Sequence, residues 1–278
     1  MNNLPTQDYF QNGYMLYPGL LADGEVLQLR QEIERICGDN TLEKHDKTRL
    51  EMEPGQPPSG RLVRRIYQPC TYYPVFRELA ESAKLLDLVE SIVGPDIMFH
   101  YSKINMKPPA IGSVVDWHQD LTYYPLTNDS SVTLLLYLDD ADVENGCLQV
   151  IPGKHHTSPS RHNRDGYFMG KIVEPVDESN AVPLEGKAGA GIFMHSLTPH
   201  ASVTNTSTRP RRTLILSYRA ADAFPIYYGD TAADVECCAR MVRGRPAESA
   251  RFTFERFPIP RQKQKTASLY ELQELSRQ

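Results

Sequence analysis

The stretch VVDWHQDLTYYP, residues 114–125, sets His118 and Asp120 two positions apart among β-branched and aromatic residues. Along an extended strand residues i and i+2 face the same way, so an imidazole and a carboxylate at this spacing can reach one atom; a helix would splay them. With one more histidine they would form a two-histidine, one-carboxylate face, which leaves an octahedral iron(II) three open positions. The spacing alone is common by chance and equally fits a surface histidine beside a hydrogen-bonding aspartate. A distant segment, HSLTPHASVTNTSTRPRRTLILSY, strengthens the metal reading. His200 falls at the edge of one strand and Arg211 at the head of the next, so both can face one cavity if the strands pair. An arginine buried beside a metal suits a small dicarboxylate, because its guanidinium fork binds carboxylate with two parallel hydrogen bonds. Metal and anion anchor together imply a bound 2-oxo acid. His195, in the same segment, competes with His200 for the place of third ligand.

The elements that must position these residues are mostly strands. After Pro95, the runs IMFHYSKINMK, VVDWHQDLTYY, SVTLLLYL, GCLQVIPG, GAGIFMHSL and RRTLILSYRAA follow one another without a helical pattern between them. They predict an all-β barrel or sandwich with helices packed outside one sheet. Ahead of it the spacing predicts a short helix over 6–11, a turn at Gly13, the strand YMLYPG and a helix over 24–37 capped by Asp23 and stopped by Gly38. A second amphipathic helix spans about 75–93 and closes at Gly94-Pro95. Residues 39–60 lack periodicity and read as a mobile loop. Segment 154–188 is long and polar for a connection, which marks a functional flap or a disordered piece. The tail from Pro258 could end in a short helix that covers the site, joins subunits or hangs free. We expect one domain over 1–278, with a helical part at about 6–94, a β-barrel core at about 95–220 and a C-terminal extension at about 221–278.

Composition agrees with an ordinary globular protein: 40% hydrophobic and 23% charged residues in 278, with a net charge of −5 that offers no footprint for nucleic acid. A basic n-region with an apolar h-region is missing from the N-terminus, and no stretch approaches the roughly 18 to 20 apolar residues of a membrane span. The expectation is a cytoplasmic protein that acts on a small molecule, with no nucleic-acid or membrane partner; a homo-oligomer stays open. Five cysteines without C-x-x-C spacing suggest neither a disulfide framework nor a zinc site, and the adjacent pair Cys237-Cys238 carries no chemistry.

In order, H-x-D, then LDDADVENGCLQVIPGKHH (138–156), then HASVTNTSTRPRR (200–212), the chain resembles the phytanoyl-CoA dioxygenase family of iron(II)/2-oxoglutarate oxygenases, which includes ectoine hydroxylase. Lys154 stands where that family's turn usually has serine, and Ala201 where glycine is usual. The resemblance covers about residues 6–228. It implies a mainly β fold with flanking helices (α+β) around a double-stranded β-helix, the jelly-roll or cupin-like core. It implies Fe(II) held by His118, Asp120 and His200, and 2-oxoglutarate gripped at its distal carboxylate by Arg211 with Ser202 assisting. The YSKIN stretch resembles the QSRIN of ectoine hydroxylases, which makes Asn105, and less directly Tyr101, cosubstrate residues. With O2, such an enzyme hydroxylates an unactivated C–H bond of a metabolite and releases succinate and CO2. Asp120 occupies a position that halogenating relatives give to a small residue, so the resemblance favours hydroxylation or a related oxidation. The alternative is a cupin-like isomerase or hydrolase on the same barrel, which would have no need of Arg211 and Ser202 beside the metal.

Other residues have plainer readings. Arg212 should leave the opposite face of its strand, Arg209 belongs to a turn, His155 and His156 to a cap or the surface, and Trp117 to the core. The walls of the substrate site should come from 43–70, 154–182 and 218–230, where Arg61, Arg64, Arg65, Arg161, His162 and Arg164 could meet an anion or simply face solvent.

Overall fold

A computed structural model describes residues 6–112, 114–226, 239–263 and 269–277. The chain opens with α1 (Thr6–Asn12), β1 (Tyr14–Tyr17), α2 (Asp23–Cys37), β2 (Leu50–Met52), β3 (Val63–Tyr67), α3 (Pro69–Tyr72), α4 (Pro74–Ala80) and α5 (Ala83–Val93). The strands β4 (Ile97–Lys107), β5 (Val115–His118), β6 (Ser131–Tyr137), β7 (Leu148–Val150), β8 (Asn163–Arg164), β9 (Tyr167–Phe168) and β10 (Val182–Leu184) follow. Then come β11 (Gly191–His195), β12 (His200–Ser202), β13 (Arg211–Ala220), β14 (Arg240–Arg243) and α6 (Leu269–Leu275).

All the strand pairs are antiparallel. The major sheet runs β1-β11-β6-β13-β4-β3-β2, with β14 also on β4; the minor sheet runs β10-β7-β12-β5. Alternation along the strands sorts the apolar residues into two cores. Leu134, Leu136, Leu214, Leu216 and Ile104 leave the outer face of the major sheet and meet Leu29 and Ile33 of α2 and Leu85 and Val89 of α5. Leu135, Ile192 and Ile215 leave the inner face and meet Leu148 and Val150 of the minor sheet. Each such side chain gives about 1.5–3 kcal/mol when fully buried, so a slip of one residue would cost both cores at once. The inner layer between the sheets, the interior of a double-stranded β-helix, is where the site lies.

The structure corrects several expectations. Asp23 is the first residue of α2 and not its cap: Ala22 holds the cap position, and its amide donates to the Glu25 carboxylate at 2.8 Å. The helix expected over 75–93 is two helices parted at Glu81-Ser82, where Ser82 is extended (φ −64°, ψ 142°) and the Tyr218 hydroxyl donates to the Ala80 carbonyl at 2.8 Å. Both pieces turn apolar faces to one core, so the periodicity survives the break. Residues 39–60, expected as a loop, contain β2, paired with β3. The segment 154–188 is ordered: β8 and β9 form a hairpin, β10 edges the minor sheet, and the Ile172 amide bonds the Trp117 carbonyl at 2.8 Å. Trp117 is half-buried rather than core, and His155 is buried rather than at the surface. Gly13 turns at φ +83°, and a Cβ there would collide with the Thr198 hydroxyl and the His155 imidazole. Cys237-Cys238 and residues 227–230 of the expected wall lie outside the described residues. Among those described, no helix is long and apolar enough to cross a membrane.

Candidate metal centre and its cavity

β5 and β12 pair with His200 directly opposite His118, and the two rings sit 4.0 Å apart. β5 ends at His118, but Gln119 stays extended (φ −127°, ψ 126°), so the two-residue spacing still brings Asp120 to the same side before a 3-10 turn begins. Each imidazole Nε2 lies 3.7 Å from Asp120 Oδ1. His118, Asp120 and His200 are the one group of three such residues, among those described, with ligand atoms within 4.8 Å of one another.

Their neighbours fix what each atom can do. His118 Nδ1 donates to the Asp116 carbonyl at 2.8 Å and His200 Nδ1 to the Thr198 carbonyl at 3.0 Å, which leaves both Nε2 lone pairs for a metal. Thr133 donates from its hydroxyl to Asp120 Oδ2 at 2.9 Å and leaves Oδ1 toward the histidines. Burial pushes both imidazoles below their ordinary range, and the Lys103 ammonium adds to it. The pair is therefore neutral, with the 3.7 Å separations those of a chelating set rather than of ion pairs. Two neutral imidazoles and a carboxylate, each held by its other polar atom, fit a divalent metal with open positions.

Next to the triad is a small cavity of about 40 Å³ lined by both sheets: Asn105 and Lys103 of β4, Thr133 of β6, Ser202 of β12 and Arg211 of β13 are on its wall. Arg211 is 4% exposed, and its Nε has no hydrogen-bond partner. A buried guanidinium donor without an acceptor is costly unless an anion supplies one. Tyr137 and Lys107 flank it: burial pushes the Tyr137 phenol up to about 12, partly offset by Arg211, and pushes the Lys107 ammonium well down, with Arg211 acting in the same direction. Asn105 Oδ1 accepts from Arg65 Nε at 3.1 Å, which turns its amide group in place.

Of the residues predicted from sequence, His118, Asp120, His200, Arg211, Ser202 and Asn105 meet at this cavity. Tyr101 lies on the same face of β4 but packs against His100 and Tyr124, outside the lining. His195 points the other way, since Met194 is the β11 residue that lines the cavity. Arg212 pairs with Asp139 at 2.8 Å on the opposite face and Arg209 with Asp142 at 2.6 Å. Lys103, which the sequence motifs do not single out, reaches the cavity because it lies midway between Tyr101 and Asn105 on an alternating strand. The sequence leaves His162 as a loop residue that could meet an anion or simply face solvent. It is buried, and its Nε2 accepts from the Gln119 amide at 3.2 Å, between the two ligand positions. Arg64 holds Glu51, and Arg61 lies 3.3 Å from Asp39. The tail reaches the same region: Gln273 of α6 accepts from the Asp116 amide at 3.0 Å and donates to the Gly170 carbonyl at 2.6 Å.

Comparison with known proteins agrees with this architecture. Residues 9–213 match the family model for phytanoyl-CoA dioxygenase. A probable alpha-ketoglutarate-dependent hypophosphite dioxygenase of Stutzerimonas stutzeri is 32% identical over 246 residues, 86% of this chain and 85% of that one. A methylphosphonate hydroxylase of Gimesia maris is 28% identical over 79% of this chain and 82% of that one. The structure of EctD from S. alaskensis with 2-oxoglutarate and 5-hydroxyectoine superposes with a TM-score of 0.64 at 24% identity, over 80% of this chain and 78% of that one.

Proposed function

The chain belongs to the phytanoyl-CoA dioxygenase family and is a 2-oxoglutarate-dependent non-haem iron dioxygenase, and from that premise we propose that it hydroxylates a small polar metabolite at the cavity beside Asp120. In this reading His118, Asp120 and His200 hold the iron, and Arg211 with Ser202 grips the distal carboxylate of 2-oxoglutarate. Asn105 and Lys103 line the path between them. When bound, iron and 2-oxoglutarate supply the activation of O2, with release of succinate and CO2. The protein's own part is placement. Thr133 keeps Oδ1 of Asp120 turned to the histidines, the Asp116 and Thr198 carbonyls hold the imidazoles in one tautomer, and the segment around Gly170, fastened by Gln273, covers the strand that carries His118.

The single observation that carries the reading is the triad at one end of a cavity whose other wall is an arginine with an unused donor. An isomerase or hydrolase would have no use for that arginine. The relatives act, by their names, on hypophosphite and on methylphosphonate, which favours a small polar substrate. Anaerobic titration of the metal-free protein with Fe(II) and then 2-oxoglutarate tests it: a weak visible charge-transfer band should appear only with both present. Folded protein that binds iron without that band would defeat the proposal.

A further inference from the structure

We propose that a buried polar cluster of His100, Tyr124 and Ser217, at the end of the barrel away from Arg211, binds a compact oxyanionic substrate and selects for it. The proposal rests on the dioxygenase reading above and names the substrate class of that site.

Strand alternation puts the cluster in place. Arg211, Thr213 and Ile215 of β13 line the cavity, and Ser217 and Arg219 continue the same face. Arg211 is opposite Lys107 at one end of the β13–β4 pair, whereas Ser217 is opposite Tyr101 and, on β6, opposite the Thr133 that holds Asp120. Arginine and iron ligands therefore mark two levels of the barrel, and His100, Tyr101, Tyr124, Ser217 and Arg219 occupy the far level. At that level β4 carries an extra residue: Tyr101 pairs with Ser217 and Phe99 with Tyr218, which leaves His100 as a bulge. A bulge re-aims a side chain, and here the ring comes to lie 4.7 Å from Tyr124 and 5.6 Å from Tyr101.

The cluster's chemistry is incomplete within the protein. His100 is 1% exposed, and neither of its ring nitrogens has a hydrogen-bond partner. The buried hydroxyls of Tyr124 and Ser217 lie beside one another, with Thr133 and Tyr101 also against Tyr124, and neither completes a hydrogen bond of ordinary geometry. Native proteins satisfy nearly all such atoms, so two bare ring nitrogens on His100 beside two loosely paired hydroxyls call for a partner from outside the chain. Burial, and then the charge of Arg219, pushes His100 down to about 3, so its neutral ring offers one donor and one acceptor. Two hydroxyls and that N–H make the cluster rich in donors, and Arg219, whose guanidinium is held by the Ala223 carbonyl, adds positive charge, which suits the oxygens of an oxyanion. An acyl chain would leave every one of these atoms buried against hydrocarbon, and a site of this kind discriminates strongly against a ligand that cannot hydrogen-bond.

The test is succinate release by the iron-loaded enzyme with 2-oxoglutarate and, separately, hypophosphite, methylphosphonate, L-proline and decanoyl-CoA. At least one of the three oxyanions should couple and decanoyl-CoA should not; which one couples distinguishes a phosphorus oxyanion from a carboxylate. For that substrate His100→Phe, which preserves ring volume, and the smaller changes Tyr124→Phe and Ser217→Ala should each raise KM at least tenfold with kcat within threefold. By calorimetry the Kd for 2-oxoglutarate should stay within twofold. Coupling by decanoyl-CoA alone, failure of all three oxyanions, an unchanged KM in the variants that fold, or a variant that weakens 2-oxoglutarate binding would overturn the proposal. A wild-type protein that does not bind 2-oxoglutarate at all would instead overturn the reading beneath it, and this proposal with it.

Discussion

Two groups of histidines lie close together among the described residues, and only one can chelate. His118 and His200 converge with Asp120, all within 4.8 Å. His155, His156 and His195 share a larger cavity of about 440 Å³ with Asp129, and their rings lie 3.8 and 5.1 Å apart, yet no three ligand atoms there converge. Burial pushes His155 and His195 below the ordinary imidazole range, the latter to about 4, so those two rings are neutral too. Neutrality and residue type do not separate the groups; what the nitrogens point at does. In the first, each Nδ1 donates to a carbonyl two residues back along its own chain and Nε2 is left toward the carboxylate. In the second, His195 Nδ1 accepts from the Leu197 amide and His155 Nε2 meets the Phe10 carbonyl, so those atoms are engaged in holding α1 and the β11 turn.

The sharpest way to break that contrast is to exchange losses between the groups. His200→Ala and Asp120→Ala should reduce iron retained after dialysis, measured by metal analysis, to background, whereas His195→Ala and Asp129→Ala should keep it stoichiometric. The reverse pattern would make the outer group the metal site. Next in size, Arg211→Ala should raise the KM for 2-oxoglutarate by a factor of about 100 to 1000, since two charge-assisted hydrogen bonds are at stake. Iron content should not change, which separates the anchor from the ligands.

The smallest effect comes from acid. Burial pushes His162 from 6.5 down to about 4, so the folded protein resists a proton that the unfolded chain accepts. Its stability is intact above pH 6.5 and is lost as pH falls from there toward 4, because the unfolded state binds more protons throughout that window. His162→Gln, whose side-chain oxygen can still accept from the Gln119 amide, should remove up to about 3 kcal/mol of this loss in urea titrations of the metal-free protein. An identical acid profile in the variant would show that His162 is not the group responsible.

How much of this was legible beforehand depended on whether the signal was local. H-x-D is a local fact about an extended chain, and it held even though the strand ends between its members. The alternation of Arg211 and Arg212 was equally local. The relation of His195 to His200 was also settled by alternation, once Met194 was known to face inward. β3 was not legible, because VRRIY buries two arginines, one stacked on Tyr270 and bonded to Glu51, the other bonded to Asn105, and a buried pair of cations hides a strand's apolar pattern. The break at Ser82 was concealed for the opposite reason, an apolar pattern that continues across it. His162 could not be found from its neighbours, since its partner Gln119 lies far away along the chain.

Gln273 joins the Asp116 amide to the Gly170 carbonyl across 157 and 103 positions of sequence. α6 leaves the ribosome after every strand of the barrel, so both sheets can assemble while the His118 strand still lacks this brace. The strand that carries His118 is thus braced by one of the last-made segments among the described residues, and truncating α6 would loosen a metal ligand without touching the barrel's own pairing.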